Sequence, residues 1–218
     1  MAALAEQNAR PRVLCLHGMH ASTAAFLPEA RALMGDLPVD CDGPDHDGMW
    51  WWPSLDHVRP DPRGALGWET SAAALAPALD AHDAVLGFSQ GAAMAAVLCA
   101  LHPHRVRFGI FACGYAAVGT GLAALAEGDE GLGAIDVPSL HIVGERDGAK
   151  PPEAGEHLAS RFKDPVIVRT SAGHWLPRDD PEVAAALRAA FLAAAPAKPH
   201  AAAAEAAPRR RRRKKKDG

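Results

Sequence analysis

Apolar runs and helix-like stretches alternate along most of the chain. Near-continuous apolar runs are typical of strands in a parallel sheet that is covered on both faces. The runs cover residues 13–16, 84–86, 108–112, 140–143 and 166–168. The helix-like stretches cover residues 22–34, 69–81, 90–101, 152–162 and 181–195. This alternation predicts an α/β fold with a mostly parallel central sheet of about six strands and helices on both faces.

Residues at the helix boundaries support these predictions. Thr70 or Ser71 can cap the second helix, Pro103 follows the end of the third, and Pro181 opens the last. Residues 41–67 break the alternation because they are rich in proline, glycine, charged residues and tryptophan. They predict a long ordered loop, and loops of that length inside a compact domain are usually functional.

The length of 218 residues suits a single domain. We expect a flexible N-terminus over residues 1–11, a folded domain over 12–196, and a disordered tail over 197–218 that is rich in alanine and proline and then basic. No run reaches the roughly 18 uncharged apolar residues of a membrane span, and the N-terminus lacks the apolar core of a signal peptide. A cytoplasmic location is therefore expected. The scattered cysteines are interpreted as reduced and structural; they are Cys15, Cys41, Cys99 and Cys113.

The net charge of −3 conceals a strong asymmetry. Residues 209–216 are eight consecutive cations, so the preceding 208 residues carry 15 basic against 25 acidic side chains. Nucleic acid and anionic lipid are therefore not expected as ligands of the folded domain. The basic run predicts contact with an import receptor, and hence a nuclear location, or with polyanions. The alternative is a solvated extension without a function.

The segment GFSQG at residues 87–91 is the strongest chemical signal. It follows an apolar strand and opens a helix, which is the context of a nucleophile elbow. An ordinary turn between a strand and a helix is the alternative, since GxSxG is common by chance. The small residues Gly87 and Gly91 permit the tight turn that would expose the Ser89 hydroxyl above the sheet. We interpret Ser89 as a nucleophile.

A serine nucleophile needs a base, and in this fold its partners follow in the order serine, acid, histidine. His174 lies just past the last strand, where a loop returns to the catalytic edge. Two carboxylates, Glu145 and Asp147, follow the preceding strand. Asp147 is preferred because Gly148 permits a sharp turn, whereas Glu145 can simply pair with a neighbouring cation. The predicted triad is Ser89, Asp147 and His174.

The tetrahedral intermediate needs two backbone N–H donors for its oxyanion. One is predicted at Gln90, directly after the nucleophile. The other is predicted at Met19, which follows the first strand after His17 and Gly18. His17 precedes the serine and is interpreted as ordering this loop by hydrogen bonding.

Four segments of the chain resemble the FSH family of serine hydrolases, and the similarity runs from about residue 11 to residue 191. They read VLCLHGMHAS, DAVLGFSQGAAMAA, SLHIVGERDGAKPP and SAGHWLPR. The paired tryptophans Trp51 and Trp52 are similar to the family's aromatic loop. The resemblance implies an α/β-hydrolase with esterase or thioesterase activity on acyl esters, and Ser89, Asp147 and His174 match the family's triad positions. The aspartate- and proline-rich loop and the basic tail depart from the family.

The substrate pocket is predicted less sharply than the triad. Tryptophans near position 50 can fill a core, but at least one can line an acyl pocket; the candidate pocket residues are Met19, Trp51, Trp52 and Trp175. Residues 45–47 read Asp-His-Asp, which are metal-ligand types, yet three adjacent residues rarely converge on one ion. No metal site and no cofactor is predicted.

The sequence favours a hydrolase that cleaves a carboxylic ester or thioester through an acyl-enzyme on Ser89. One alternative is a carboxylesterase of the acyl-protein thioesterase type, whose family shares the GFSQG elbow; the GERDGAKPP segment and the tryptophan-rich loop favour the FSH family. The other is a non-catalytic hydrolase-fold binding protein tethered by its basic tail. An intact triad with an intact elbow argues against that last hypothesis.

Overall fold

The central element of the molecule is a six-stranded sheet. The computed structural model describes residues 10–50, 67–117 and 134–194. The strands in these ranges are β1 (Arg12–Leu16), β2 (Ala21–Ser22), β3 (Asp40–Asp42), β4 (Asp47–Gly48), β5 (Ala84–Phe88), β6 (Phe108–Ala112), β7 (Ser139–Gly144) and β8 (Val166–Thr170). The α-helices are α1 (Thr23–Met34), α2 (Trp68–Leu75), α3 (Gln90–Leu101), α4 (Pro152–Ala159) and α5 (Pro181–Ala193). Across the sheet the order is β3-β1-β5-β6-β7-β8 with every neighbouring pair parallel, while β2 and β4 form a small antiparallel pair.

Helices cover both faces of this sheet, as the alternation of strands and helices predicts. In β1, Leu14 and Leu16 pack into a core built with α2, α3 and α4. Val13 and Cys15 point to the opposite face and pack with α1 and α5, because successive strand residues face opposite sides. The first ten residues of α3 are all buried. The predicted α/β architecture is confirmed.

The strand order places a crevice at the carboxyl ends of β1 and β5. From β1 the chain crosses to β3 on one side and then returns to β5 on the other. Ligands of open α/β sheets bind at such a reversal of strand order. The loop after β1 and the turn between β5 and α3 therefore meet where a site is expected.

The predicted loop over residues 41–67 is wrong at its beginning. Its first two residues belong to β3, which pairs with β1, and β4 lies six residues further on. A three-residue strand with aspartate at both ends has no apolar run to reveal it. Its pairing comes from the neighbouring strand.

The predicted helix over residues 69–81 is also wrong in its continuity. It ends at Leu75 and continues as a 3₁₀ helix, Ala76–Ala81, because Pro77 has no backbone N–H and its ring disfavours the α-helical turn before it. The capping residue is Gly67, with φ of 84°, and neither predicted serine nor threonine caps the helix. The Ser71 hydroxyl instead donates to the Trp50 carbonyl.

Several sequence predictions fall on residues outside the described ranges. These are the N-terminus up to residue 9, the pocket candidates Trp51 and Trp52, and the tail over 197–218. All four cysteines are buried free thiols. Among the described helices, none is both long and apolar enough to cross a bilayer.

Candidate active site

Ser89 lies in a strained turn between β5 and α3. Its φ of 54° is unusual for a residue with a side chain. The turn is possible because glycines flank it. A Cβ on Gly87 would overlap the backbone of Gly91 and Ala92, and one on Gly91 would overlap the carbonyls that end β1. The elbow therefore packs closely against the end of β1 and the loop after it. The tight turn itself is the one that the GFSQG segment predicts.

The three predicted side chains of the triad lie in one hydrogen-bonded line. The His174 Nε2 atom is 3.1 Å from the Ser89 Oγ atom, and the His174 Nδ1 atom is 2.7 Å from the Asp147 Oδ2 atom. Asp147 follows β7 and His174 follows β8, so neighbouring parallel strands deliver both to the carboxyl edge of the sheet. The Phe88 ring packs against the imidazole with centroids 5.0 Å apart.

The carboxylate of Asp147 is buried and fully engaged. Only 1% of its side chain is exposed. The other oxygen, Oδ1, accepts from the backbone N–H groups of Ala149 and Lys150, each at 2.8 Å. Burial acts to raise the pKa of Asp147, but the hydrogen bonds from His174 and the two backbone donors hold that pKa below its ordinary value. Asp147 is therefore ionised at neutral pH, while Glu145 is exposed at the surface.

Cys113 is a neighbour of this carboxylate that sequence reasoning missed. It follows β6 with φ of 51°, and its thiol donates to the Gly173 and Trp175 carbonyls at 3.8 and 4.0 Å while lying within 4.8 Å of the Asp147 carboxylate. Burial first, and then the negative charge of Asp147, raise the pKa of the Cys113 thiol. The thiol is therefore neutral, and it donates to the loop that carries His174. The sequence does carry a signal for this position. Cys113 directly follows β6, which ends at the same edge of the sheet as β5 and β7.

The predicted oxyanion loop follows β1 and is ordered by His17, as expected. His17 is fully buried, and its Nδ1 atom is 2.7 Å from the Gly18 carbonyl oxygen. Met19 stands at the surface with 44% of its area exposed. The loop runs directly over the elbow, because a Cβ on Gly18 would lie 3.5 Å from the Cβ of Ser89.

A second set of contacts ties the oxyanion loop to the start of α3. The indole N–H of Trp50 donates to the His17 carbonyl at 2.8 Å, and the backbone N–H of Trp50 donates to Gln90 Oε1 at 2.9 Å. Trp50 is 2% exposed, which is the core-filling role considered for the tryptophans near position 50. His46 stacks on this indole, with ring centroids 4.1 Å apart. His46 is thus placed as a packing and hydrogen-bonding group, and the neighbouring Asp45 and Asp47 do not join it around a common point.

A surface cavity of about 350 Å³ lies beside the histidine loop. Trp175 forms part of its wall with 57% of its area exposed, and its ring lies over Gly173. Arg146 and Arg178 also line the cavity. Of the four predicted pocket residues, the structure thus describes Met19 and Trp175, and both are exposed near the elbow and the histidine.

The fold is that of the α/β-hydrolases. Solved structures with the same fold include the carboxylesterase from Mesorhizobium loti, with a TM-score of 0.60 and 21% identity over 87% of this chain and 91% of that one. Another is the acyl-protein thioesterase 2 of Zea mays, with a TM-score of 0.60 and 18% identity over 85% and 96% of the two chains.

Relatives in sequence define the class more narrowly. Residues 36–186 match the family described as serine hydrolase (FSH1). Esterase OVCA2 of Bos taurus is 32% identical over 194 residues, which cover 82% of each chain. Esterase OVCA2 of Homo sapiens is 31% identical over 196 residues, again 82% of each chain. The chain belongs to the FSH1 family of serine hydrolases, so the resemblance found in its motifs is confirmed.

Proposed function

We propose that this protein hydrolyses carboxylic esters or thioesters through an acyl-enzyme formed on Ser89. The observation that carries the proposal is the line of hydrogen bonds from Asp147 through His174 to the Ser89 hydroxyl. The esterase names of the relatives, at about one third identity over most of both chains, support the same reaction class.

In this proposal each member of the line has its own role. The Ser89 Oγ atom attacks the acyl carbon while His174 Nε2 accepts its proton. Asp147 stays ionised and stabilises the imidazolium. The tetrahedral intermediate then collapses: its C–O or C–S bond breaks, and the leaving group takes the proton from His174. Water repeats the sequence on the acyl-enzyme, releasing the acid and restoring the serine.

Backbone donors on the other side of Ser89 would bind the negative oxygen of each intermediate. The N–H of Gln90 lies at the N-terminus of α3, and the N–H of Met19 lies in the loop above the elbow. Fixed dipoles of this kind act only where charge develops, so they favour the intermediate over the ester. The exposed side chains of Met19 and Trp175 would border the bound substrate.

Labelling with a fluorophosphonate tests the proposal against a non-catalytic binding protein of the same fold. The wild-type protein should be labelled and should hydrolyse p-nitrophenyl esters. Ser89→Ala should lose both properties, with turnover falling on the order of 10⁶-fold, because triad members act as a unit. Ser160→Ala, at an exposed serine far from the elbow in sequence, is the matched control. An unlabelled wild-type protein, or a labelled Ser89→Ala, would overturn the proposal.

Parallel assays with esters and thioesters of equal acyl length would separate the two leaving-group classes. The hypothesis of a thioester substrate is supported by the acyl-protein thioesterase of the same fold. The hypothesis of an ester substrate is supported by the esterase names of the FSH1 relatives. The cytoplasmic or nuclear location expected from the sequence stays a prediction.

A further inference from the structure

His46 lies on the oxyanion side of Ser89 and has no role in the reaction described so far. Its Nδ1 atom is 3.1 Å from the Nε2 atom of His17, 29 residues earlier in the chain. The two ring centroids are 5.2 Å apart and the ring planes differ by 28°, so the rings meet nearly edge to edge. A relay of three groups thus runs from His46 through His17 to the Gly18 carbonyl.

The direction of this relay follows from the groups at its end. A carbonyl oxygen can only accept, so the hydrogen of the His17–Gly18 bond must lie on His17 Nδ1. In a neutral imidazole the other nitrogen is then an acceptor. His46 Nδ1 must therefore carry a hydrogen and donate it to His17 Nε2. Burial, followed by the neighbouring His17 ring, lowers the pKa of His46, so its ring is neutral at pH 7.

The carbonyl at the end of the relay is part of the peptide unit that contains a predicted oxyanion donor. The Gly18 carbonyl and the Met19 N–H belong to the same planar peptide unit. A hydrogen bond that holds the carbonyl toward His17 therefore sets the direction of the Met19 N–H, which lies on the opposite side of that unit. Donation to the carbonyl also polarises the peptide and strengthens its N–H as a donor.

Trp50 packs against both histidines of this relay. Its indole is stacked on His46 and tilted against His17, with centroids 4.1 and 4.8 Å apart. The loop that carries His46 is itself anchored, because the His46 carbonyl accepts from the N–H of Thr23 and the Gly48 carbonyl accepts from the N–H of His20. Both bonds connect this loop to the chain that follows β1, so His46 and the oxyanion loop form one unit.

We propose that His46 is a positioning residue that acts through His17 to fix the Gly18–Met19 peptide as an oxyanion donor. The inference rests on the proposed function, since the peptide matters only if Ser89 forms a tetrahedral intermediate. The inference gives a function to His46, which lies in the aspartate-rich segment that departs from the family pattern.

Two variants of His46 separate hydrogen bonding from packing. Phenylalanine keeps an aromatic ring over Trp50 but donates no hydrogen bond. Asparagine loses the ring, but its side-chain N–H lies close to the position of the histidine Nδ1 and can donate. We expect His46→Phe to lower kcat by about 10- to 100-fold with KM within about threefold, which is less than the loss of a whole oxyanion donor. His46→Asn should keep kcat within about fivefold of the wild type.

Each kcat is calculated as the maximal rate divided by the concentration of active sites. That concentration is titrated with a fluorophosphonate, so a loss of folded protein does not lower kcat. A trifluoromethyl ketone, which forms a charged tetrahedral adduct on serine, should bind His46→Phe more weakly by the same factor as the fall in kcat. A purely structural role would lower the melting temperature without moving either quantity. Asp45→Asn, at the exposed neighbouring residue, is the control and should match the wild type.

The outcomes distinguish this inference from the proposed function. If the wild type is labelled and Ser89→Ala is inactive, but His46→Phe keeps kcat and ketone affinity within twofold, the positioning role is overturned and the hydrolase remains. Equal losses in His46→Phe and His46→Asn would also overturn it, because donation would then not be the cause. An inactive, unlabelled wild type would overturn the proposed function instead.

Discussion

Two histidines flank Ser89, and each is the middle member of a three-group relay. His174 connects the Asp147 carboxylate to the serine hydroxyl at 2.7 and 3.1 Å. His17 connects His46 to the Gly18 carbonyl at 3.1 and 2.7 Å. The geometry is nearly the same on both sides. The chemistry differs because the outer member is an anion in one relay and a neutral ring in the other.

The outer group decides whether the histidine can change its charge. Asp147 keeps its negative charge through hydrogen bonds that hold its pKa low, so in the proposed reaction it would stabilise His174 when the proton of Ser89 arrives. His46 offers His17 no such charge, because its own ring is neutral. The His174 relay is therefore suited to moving a proton, and the His17 relay to holding a peptide still.

Removing the charge from the first relay is the change with the largest expected effect. Asp147→Asn should lower kcat on the order of 10⁴-fold while leaving the fold intact, because an amide favours the wrong His174 tautomer. Circular dichroism and steady-state kinetics on a p-nitrophenyl ester would measure this. Glu145→Gln is the matched control, and a larger loss in that variant would show that the other carboxylate is the acid.

A matched pair of glycine substitutions compares the packing beside the His17 relay with the packing beside Asp147. Gly91→Ala would drive its Cβ into the carbonyls of Leu16 and His17, whereas Gly148→Ala would meet nothing within 4 Å. The first should cost about 1–3 kcal/mol of unfolding free energy. Displacing the oxyanion loop should also cost roughly 10²-fold in kcat. Urea denaturation and kinetics of both variants test this, and equal effects would contradict the packing difference.

A third histidine shows what burial does without a relay. His141 lies in β7 between the Phe111 and Phe162 rings, and within the described ranges its Nδ1 atom has no hydrogen-bond partner. Burial lowers its pKa to about 3. Between pH 3 and 6.5 the unfolded chain therefore binds a proton that the native state does not, so stability rises with pH across that window.

For this residue we expect about 2 kcal/mol less unfolding free energy at pH 5 than at pH 7.5. His141→Phe, which keeps an aromatic ring between its two neighbours, should remove that part of the pH dependence. Urea denaturation of both proteins at the two pH values measures the difference. A variant whose pH dependence parallels the wild type would show that His141 is not the group responsible.

The smallest effect is expected from the basic tail, which is remote from both relays in sequence. Truncation after residue 195 should leave kcat/KM for a small neutral ester within about twofold, because distant screened charges act weakly on an uncharged substrate. The same truncation should abolish salt-sensitive retention on heparin, since the remaining chain is acidic. Unchanged retention would place the polyanion site elsewhere.

Much of the first relay could be predicted because its members follow β5, β7 and β8, which are strands of one parallel sheet. The strand ends locate Ser89, Asp147 and His174 in the order that the fold requires, and the structure brings them within hydrogen-bonding distance. The end of β6 is part of the same pattern, so Cys113 was within reach of the same reasoning. Sequence alone does not single it out, because a lone cysteine in an apolar run is usually structural.

The sequence by itself determined the fold class, the family and the edge of the sheet at which the chemistry lies, since apolar periodicity and glycine spacing are local properties of the chain. Only the tertiary structure decided which groups surround Ser89 on its oxyanion side. His46 and Trp50 lie in a segment without apolar periodicity, and they contact His17 across 29 and 33 residues. Such contacts depend on the path of residues 43–50 after β3, which side-chain packing selects and no local pattern encodes.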